Sequence, residues 1–214
     1  MSRWTVIVPV RGTARSKTRL CLAGFDSSML GAAFGLDVAE AAATATLVQH
    51  VVVTTASPYL AAAAADRGAR GLLDDGPGTL NEVVSRAVDR VRTANPLANV
   101  AVLMGDVAMV TPADIDQSLT MAAKHSRAFV ADRDDEGTVM LTARKGYPHR
   151  PRFGQASRSA HLAAGYCEIV LDEEARIRHD VDTSSDLAVA FRRGMGSEVT
   201  RLLTTELRGE SALT

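Results

Sequence analysis

The chain has little of what marks several common function classes. It carries only two cysteines, Cys21 and Cys167, in 214 residues. That is too few for a disulfide framework, and the two have no metal-ligand spacing, which suits a reducing cytoplasm. Both read as small core residues rather than reactive thiols. Aromatic residues make up 4% of the chain and do not interleave with basic ones, which argues against a stacking platform for RNA or single strands. Neither sign of charge dominates. The formal net charge is -1, so no global field draws nucleic acid or an anionic membrane, and any anion site must be local. No apolar run approaches the 18 residues of a membrane span, and the first, Trp4 to Val10, has seven and meets Arg11 at once. The patterns G-x-x-x-x-G-K-[ST], G-x-G-x-x-G and G-x-S-x-G are all absent. The histidines, at 50, 125, 149, 161 and 179, show no ligand spacing.

What remains is an ordinary globular composition, 46% hydrophobic and 23% charged, in a length that suits one domain over residues 1–214. A chain of this size buries roughly 70% of the surface it exposes when unfolded. Buried β-branched runs alternate with helical patterns. "WTVIVPV", "HVVVTT" and "NVAVLMGD" read as buried strands. Residues 27–46, 58–67 and 79–94 read as helices, the last opened by Thr79 with Glu82 three residues on. "TPADIDQSLTMAAKH" starts with a threonine cap and a proline at the first helical position. "TSSDLAVAFRR" has the same kind of start, with Thr183 and Asp186. This alternation predicts an α/β domain with a mostly parallel central sheet. The segment 126–182 is strand-rich, with "RIRHDVD" read as alternating, and is expected to form a small β-rich insertion or lid.

Ligands of open α/β sheets sit beyond the carboxyl ends of the strands, and three features fall there. The first is the loop after strand one, where Arg11, Arg15, Lys17 and Arg19 put four cations within nine residues beside Gly12. Such a loop can hold a polyphosphate, or it can be a plain solvated basic loop. The second is Asp106, at the end of a buried strand after Gly105, placed to hold a cation or to cap a turn. The third is the pair Asp180 and Asp182. On a strand they share a face, and two like charges so close raise each other's pKa unless a cation intervenes. Hard carboxylate oxygens suit Mg²⁺ or Mn²⁺ with nucleotide phosphates. Capping of the next helix by Asp182 or Thr183 would explain one aspartate but not Asp180.

"VIVPVRGTARSKTRL", "GTLNEVVSRAV", "VLMGDVAMV", "FVADRDDEGTVMLTA", "PRFGQASRSAH" and "RIRHDVDTSSDL" occur in the order seen in the phosphoenolpyruvate / 2-phospho-L-lactate guanylyltransferase family, which the chain resembles from about residue 4 to 196. The resemblance implies a Rossmann-like nucleotidyltransferase fold of the GT-A kind. It implies transfer of GMP from GTP to phosphoenolpyruvate or 2-phospho-L-lactate, release of pyrophosphate, and a coenzyme F-420 precursor as product. Carried over by motif, Asp106, Asp180 and Asp182 would bind Mg²⁺, with Mn²⁺ as an alternative. Thr138, Gly154 and Ser157 would bind the phosphorylated acid. Lys17 and Arg19 would meet the triphosphate, Lys17 with a catalytic part, and Leu80 and Asn81 would lie toward the base; Arg11 and Gly12 join the nucleotide site from the reading of the basic loop itself. Two departures stand out. The family's Gly-Asp-Leu-Pro-Ala-Leu is here Gly105 to Val110 without proline, and its Gly-Thr-Gly-Thr is Asp135-Glu136-Gly137-Thr138. The two new carboxylates would oppose an anionic substrate or recruit a metal.

The expected partners are therefore GTP and a small phosphorylated acid, in the cytoplasm, with no nucleic acid and no membrane; a homodimer is allowed but not required. The competing readings are a nucleotidyltransferase for a sugar phosphate, a cytidylyl product or a molybdenum cofactor, and a non-catalytic GTP-binding relative.

Overall fold

The computed structural model describes residues 3–10 and 27–211. Seven strands form one sheet in the order β3-β2-β1-β4-β6-β5-β7. The strands are β1 (Trp4–Pro9), β2 (Val48–Thr55), β3 (Arg70–Leu73), β4 (Asn99–Leu103), β5 (Arg127–Ala131), β6 (Thr138–Ala143) and β7 (Cys167–Glu168). The pairings β1–β2, β1–β4 and β2–β3 are parallel, as is β5–β7. β6 runs antiparallel to both β4 and β5. The helices are α1 (Ser27–Thr44), α2 (Pro58–Ala63), α3 (Leu80–Ala94), α4 (Pro112–Ala122), α5 (Ser157–Ala163), α6 (Ser184–Arg193) and α7 (Ser197–Ser211).

β1, β4 and β6 are buried along their whole length because both faces of the sheet are covered there. Val6, Val8, Val51, Val53, Ala101 and Leu103 face a core shared with α1, α2 and α4, through residues such as Leu36, Leu60, Ile115 and Leu119. The alternate residues Ile7, Val52, Val100 and Val102 pack with Val84, Ala87 and Val88 of α3 and with Phe129, Leu141, Phe153 and Tyr166. A third cluster joins Leu30 and Phe34 of α1 to Val181, Leu187, Val199 and Leu203, seating α6 and α7. α7 is held at its start by Asp37 of α1, whose carboxylate accepts from the amides of Glu198 and Val199 at 2.8 and 2.9 Å.

The strand-rich segment is hydrogen-bonded into the main sheet rather than standing on it. β5, β6 and β7 extend the sheet past β4. "RIRHDVD" differs from its reading as a strand: Arg176–Arg178 form a single 3-10 turn, and residues 179–182 pair with no strand. The three anticipated helix starts are capping boxes, with Thr79, Thr111 and Thr183 each accepting from the amide three residues on.

Two histidines, the fully buried His161 and the half-buried His149, make the fold sensitive to acid. His161 is fully buried, and burial lowers its pKa to about 4. Burial and the nearby Arg92 charge lower that of His149 to about 3. The fold thus favours the neutral rings, while an unfolded chain takes up protons below about 6.5. Their contribution is complete above that value and is lost as the pH falls toward 4 and below. Melting temperature should fall across this window, and His149→Gln should flatten the slope; an unchanged slope would contradict the assignment.

Candidate active site

The sheet's carboxyl edge is crowded with loops, and glycines bring them close. β4 ends at Leu103 and leads through Met104 and Gly105 to Asp106. A Cβ at Gly105 would lie 3.0 Å from the carbonyl oxygen of Pro9 and 3.4 Å from Cα of Gly35 in α1. The chain after β4 is therefore pressed between the end of β1 and α1, which fixes where Asp106 starts.

Residues 180–182 are pinned to this point. The Val181 amide donates to the Asp106 carbonyl at 3.0 Å. Its side chain is fully buried in the cluster between α1 and α6. With Val181 plugged into the core, the aspartates on either side turn the other way. Oxygens of Asp106, Asp180 and Asp182 lie within 4.8 Å of one another. Capping of α6 falls to Thr183 with Asp186, not to Asp182. The alternation that suggested a strand thus produces the expected convergence without one.

The electrostatics of the cluster are unfavourable in the absence of a cation. Asp180 has its pKa pushed up to about 7, first by burial and then by the charges of Asp106, Asp182 and Asp132. Asp132 is a fourth carboxylate, just beyond the end of β5. It accepts from the amides of Glu136 and Gly137 at 3.0 and 2.7 Å and so shapes the turn from β5 to β6. A Cβ at Gly137 would come within 2.1 Å of the Asp132 carboxylate, so any larger residue would push that carboxylate off its bonds to the turn.

That turn contains the two acidic departures, and one of them is neutralised. Asp135, at φ 59°, accepts from Arg178 at 2.7 Å. Arg178 is buried and also donates to the carbonyls of Asp132 and Arg133, at 2.7 and 3.4 Å. The guanidinium ties the β5–β6 turn to the segment that leads into Asp180. The Asp135 charge is therefore balanced locally rather than directed at an anion.

Thr138 follows at the start of β6. Because β6 is antiparallel, its first residues lie beside the end of β4, where the Met104 amide donates to the Val139 carbonyl at 2.9 Å. Thr138 and Ser157 are buried. Gly154 is exposed, with φ 125° and open space where a Cβ would point. The Ser157 amide donates to the Gly154 carbonyl at 3.1 Å, so these two residues share one turn.

Asn81, at the start of α3, holds the neighbouring strap. Its amide nitrogen donates to the Phe153 carbonyl at 3.0 Å, and its side-chain oxygen accepts from the Phe153 amide at 2.7 Å. Leu80 packs partly buried on the core beneath. Both Asn81 contacts reach across 72 residues, which no local pattern reveals. Asn81→Ala removes both bonds, and the expected loss is about 1–3 kcal/mol by thermal or urea unfolding. Asn81→Asp should be no better, since it sets a carboxylate against the Phe153 carbonyl. Stability unchanged in both variants would refute the clamp.

Arg11, Gly12, Lys17 and Arg19 lie outside the described residues. A cavity of about 840 Å³ lies away from the carboxylates, near the sheet's other end, lined by His50, Val52, Arg70, Arg90 and Val91 among others. Neither the aspartates nor the acceptor residues line it.

A nucleotidyltransferase fold is what this sheet and its edge define. The chain can be superposed on a protein described as a nucleotide-diphospho-sugar transferase from Desulfovibrio desulfuricans G20, with a TM-score of 0.67 and 17% identity, covering 97% of this chain and 96% of that one. The Rv0371c protein of Mycobacterium tuberculosis H37Rv, solved as a complex with manganese, matches with a TM-score of 0.52 and 19% identity over 90% of this chain and all of its own (100%).

The family follows from sequence: residues 4–207 match the model for "Guanylyl transferase CofC like", and the chain belongs to that family. The phosphoenolpyruvate guanylyltransferase of Streptomyces scabiei (strain 87.22) is 38% identical over 200 residues, covering 91% of this chain and 93% of the relative.

Proposed function

We propose that the protein transfers GMP from GTP to the phosphate of phosphoenolpyruvate, releasing pyrophosphate and forming a coenzyme F-420 precursor. The observation that carries this reading is the convergence of Asp106, Asp180 and Asp182 beside the turn that bears Thr138. Family membership and the names of its relatives supply the nucleotide and the acid. 2-Phospho-L-lactate is the alternative acceptor.

The donor set, three carboxylates of which Asp180 is held near 7, fits a hard divalent cation such as Mg²⁺ or Mn²⁺. Such an ion would supply screening between the two anionic substrates and alignment of their phosphates. Thr138, Gly154 and Ser157 are assigned to the phosphorylated acid. Leu80, Asn81 and the loop of Arg11, Gly12, Lys17 and Arg19 are assigned to GTP. The acid's phosphate oxygen is already anionic, so in-line attack at the α-phosphorus needs no general base. The catalytic task is to hold two anions together against repulsion. Lys17 is assigned to the charge that develops on pyrophosphate.

The reading describes one catalytic domain acting in the cytoplasm, as a monomer or a homodimer. No helix among the described residues is long and apolar enough to cross a membrane. The test is to incubate the protein with GTP, Mg²⁺ and each phosphorylated acid separately and to identify the product by mass. A guanylylated phosphoenolpyruvate supports the reading. No guanylylated product with any of the acids contradicts it.

A further inference from the structure

His161 lies on α5 and is fully buried, yet both of its ring nitrogens are used. Nε2 lies 2.9 Å from the backbone nitrogen of Arg152. An amide can only donate, so Nε2 must carry a lone pair and no hydrogen. The neutral ring then has its hydrogen on Nδ1, which is 2.9 Å from the Thr138 hydroxyl oxygen. Nδ1–H is the donor and the threonine oxygen accepts, with the Ser157 backbone carbonyl beside the same ring. The depressed pKa, caused mainly by burial, keeps the ring neutral near pH 7. Rings of Phe153, Tyr166 and Phe129 pack around it with centroids at 5.5, 5.5 and 5.8 Å, which fixes its plane.

The consequence falls on Thr138. Its oxygen is occupied as an acceptor, so the hydroxyl's own hydrogen must point elsewhere. Its contact with His161 is the hydroxyl's one hydrogen bond among the described residues. The same ring holds the Arg152 amide, one residue before the Phe153 backbone that Asn81 clamps and two before Gly154.

We propose that His161 is a positioning residue for the acceptor site: it orients the Thr138 hydroxyl as a hydrogen-bond donor toward an anionic oxygen of the phosphorylated acid and anchors the 152–154 strap. This rests on the assignment of Thr138 and Gly154 to the acid. A neutral donor set in this way adds no charge to be desolvated, and it discriminates among acids by where their oxygens lie.

Two substitutions separate the two halves of the role. His161→Asn places an amide NH₂ near Nδ1 and keeps the donor to Thr138, but loses the bond to Arg152. His161→Gln reaches toward Arg152 with its carbonyl and loses the donor to Thr138. With phosphoenolpyruvate as the acid, His161→Gln and Thr138→Val should each raise its KM about tenfold or more, with KM for GTP within about twofold. The double variant should be no worse than either single one, and His161→Asn should keep the response to Thr138→Val that His161→Gln has lost.

Nitrogen-15 NMR of the wild-type His161 ring gives a readout without catalysis. The Nδ1–H tautomer is expected from pH 6 to 8, and an Nε2–H tautomer or an imidazolium would overturn the proposal. So would additive losses, or equal losses in both KM values that follow melting temperature. A wild-type protein with no product from any phosphorylated acid defeats the functional reading and the acceptor half of this proposal with it. Normal wild-type turnover with His161→Gln unaffected defeats this proposal alone.

Discussion

Asp180→Asn is expected to reduce pyrophosphate release by at least about 10²–10³-fold while leaving the fold intact. Both halves of that result have the same source. Asp180 is held near 7 by burial and by Asp106, Asp182 and Asp132, so its ionised form is strained against its neighbours. The asparagine keeps the shape and removes one charge from the cluster. The sign of the stability change follows from linkage. A carboxyl whose folded pKa lies above its unfolded value stabilises fully below the unfolded value, about 3.9, and loses that contribution as the pH rises through about 7. At pH 8 in chelator, the variant should therefore melt no lower than the wild type. Added Mg²⁺ should raise the wild-type melting temperature more at pH 8 than at pH 6, because the ion competes with a proton for Asp180. The variant should lose most of that response. Near-normal turnover in the variant would reject the assignment.

Arg178→Ala is expected to have the second-largest effect, and of a different kind. The guanidinium is buried and binds Asp135 and the carbonyls of Asp132 and Arg133. Without it the carbonyls lose their donor, and the β5–β6 turn is tied to the segment before Asp180 by the backbone bond from the Arg133 amide to the residue-178 carbonyl. The loss should be on the order of 2–4 kcal/mol, mostly from polar groups left unsatisfied. Asp135 itself is too exposed for its ion pair to supply much of this. Turnover should fall as well, because the same turn carries Asp132 and leads into Thr138. Asp135→Asn should be mild by comparison. If Asp135→Asn matches Arg178→Ala in both readouts, the ion pair and not the carbonyl bonding is what matters.

The central sheet was legible because both of its faces are buried. "WTVIVPV", "HVVVTT" and "NVAVLMGD" have no polar alternation to mislead, and the threonine caps carry their own local chemistry. The convergence of Asp106, Asp180 and Asp182 was legible too, although the reason differs. A strand was invoked for residues 176–182, whereas a buried Val181 between two turned-out aspartates does the work. The remaining parts of the site depend on contacts that span the chain. His161 showed no ligand spacing because its partners lie 23 and 9 residues away and one is a backbone amide. Arg178 reads as one more charge in an alternating run, and its burial and its bonds to the β5–β6 turn come only with the fold. The acidic pair at 135–136 seemed set against an anion, and only the fold brings Arg178 to one of them.

The most direct test of the account is an anomalous difference map from crystals grown with Mn²⁺ and GTP. A peak within coordination distance of Asp106, Asp180 and Asp182, weakened or lost in Asp180→Asn, is the predicted result. Manganese bound elsewhere, with the three carboxylates bridged only by hydrogen bonds, would contradict it.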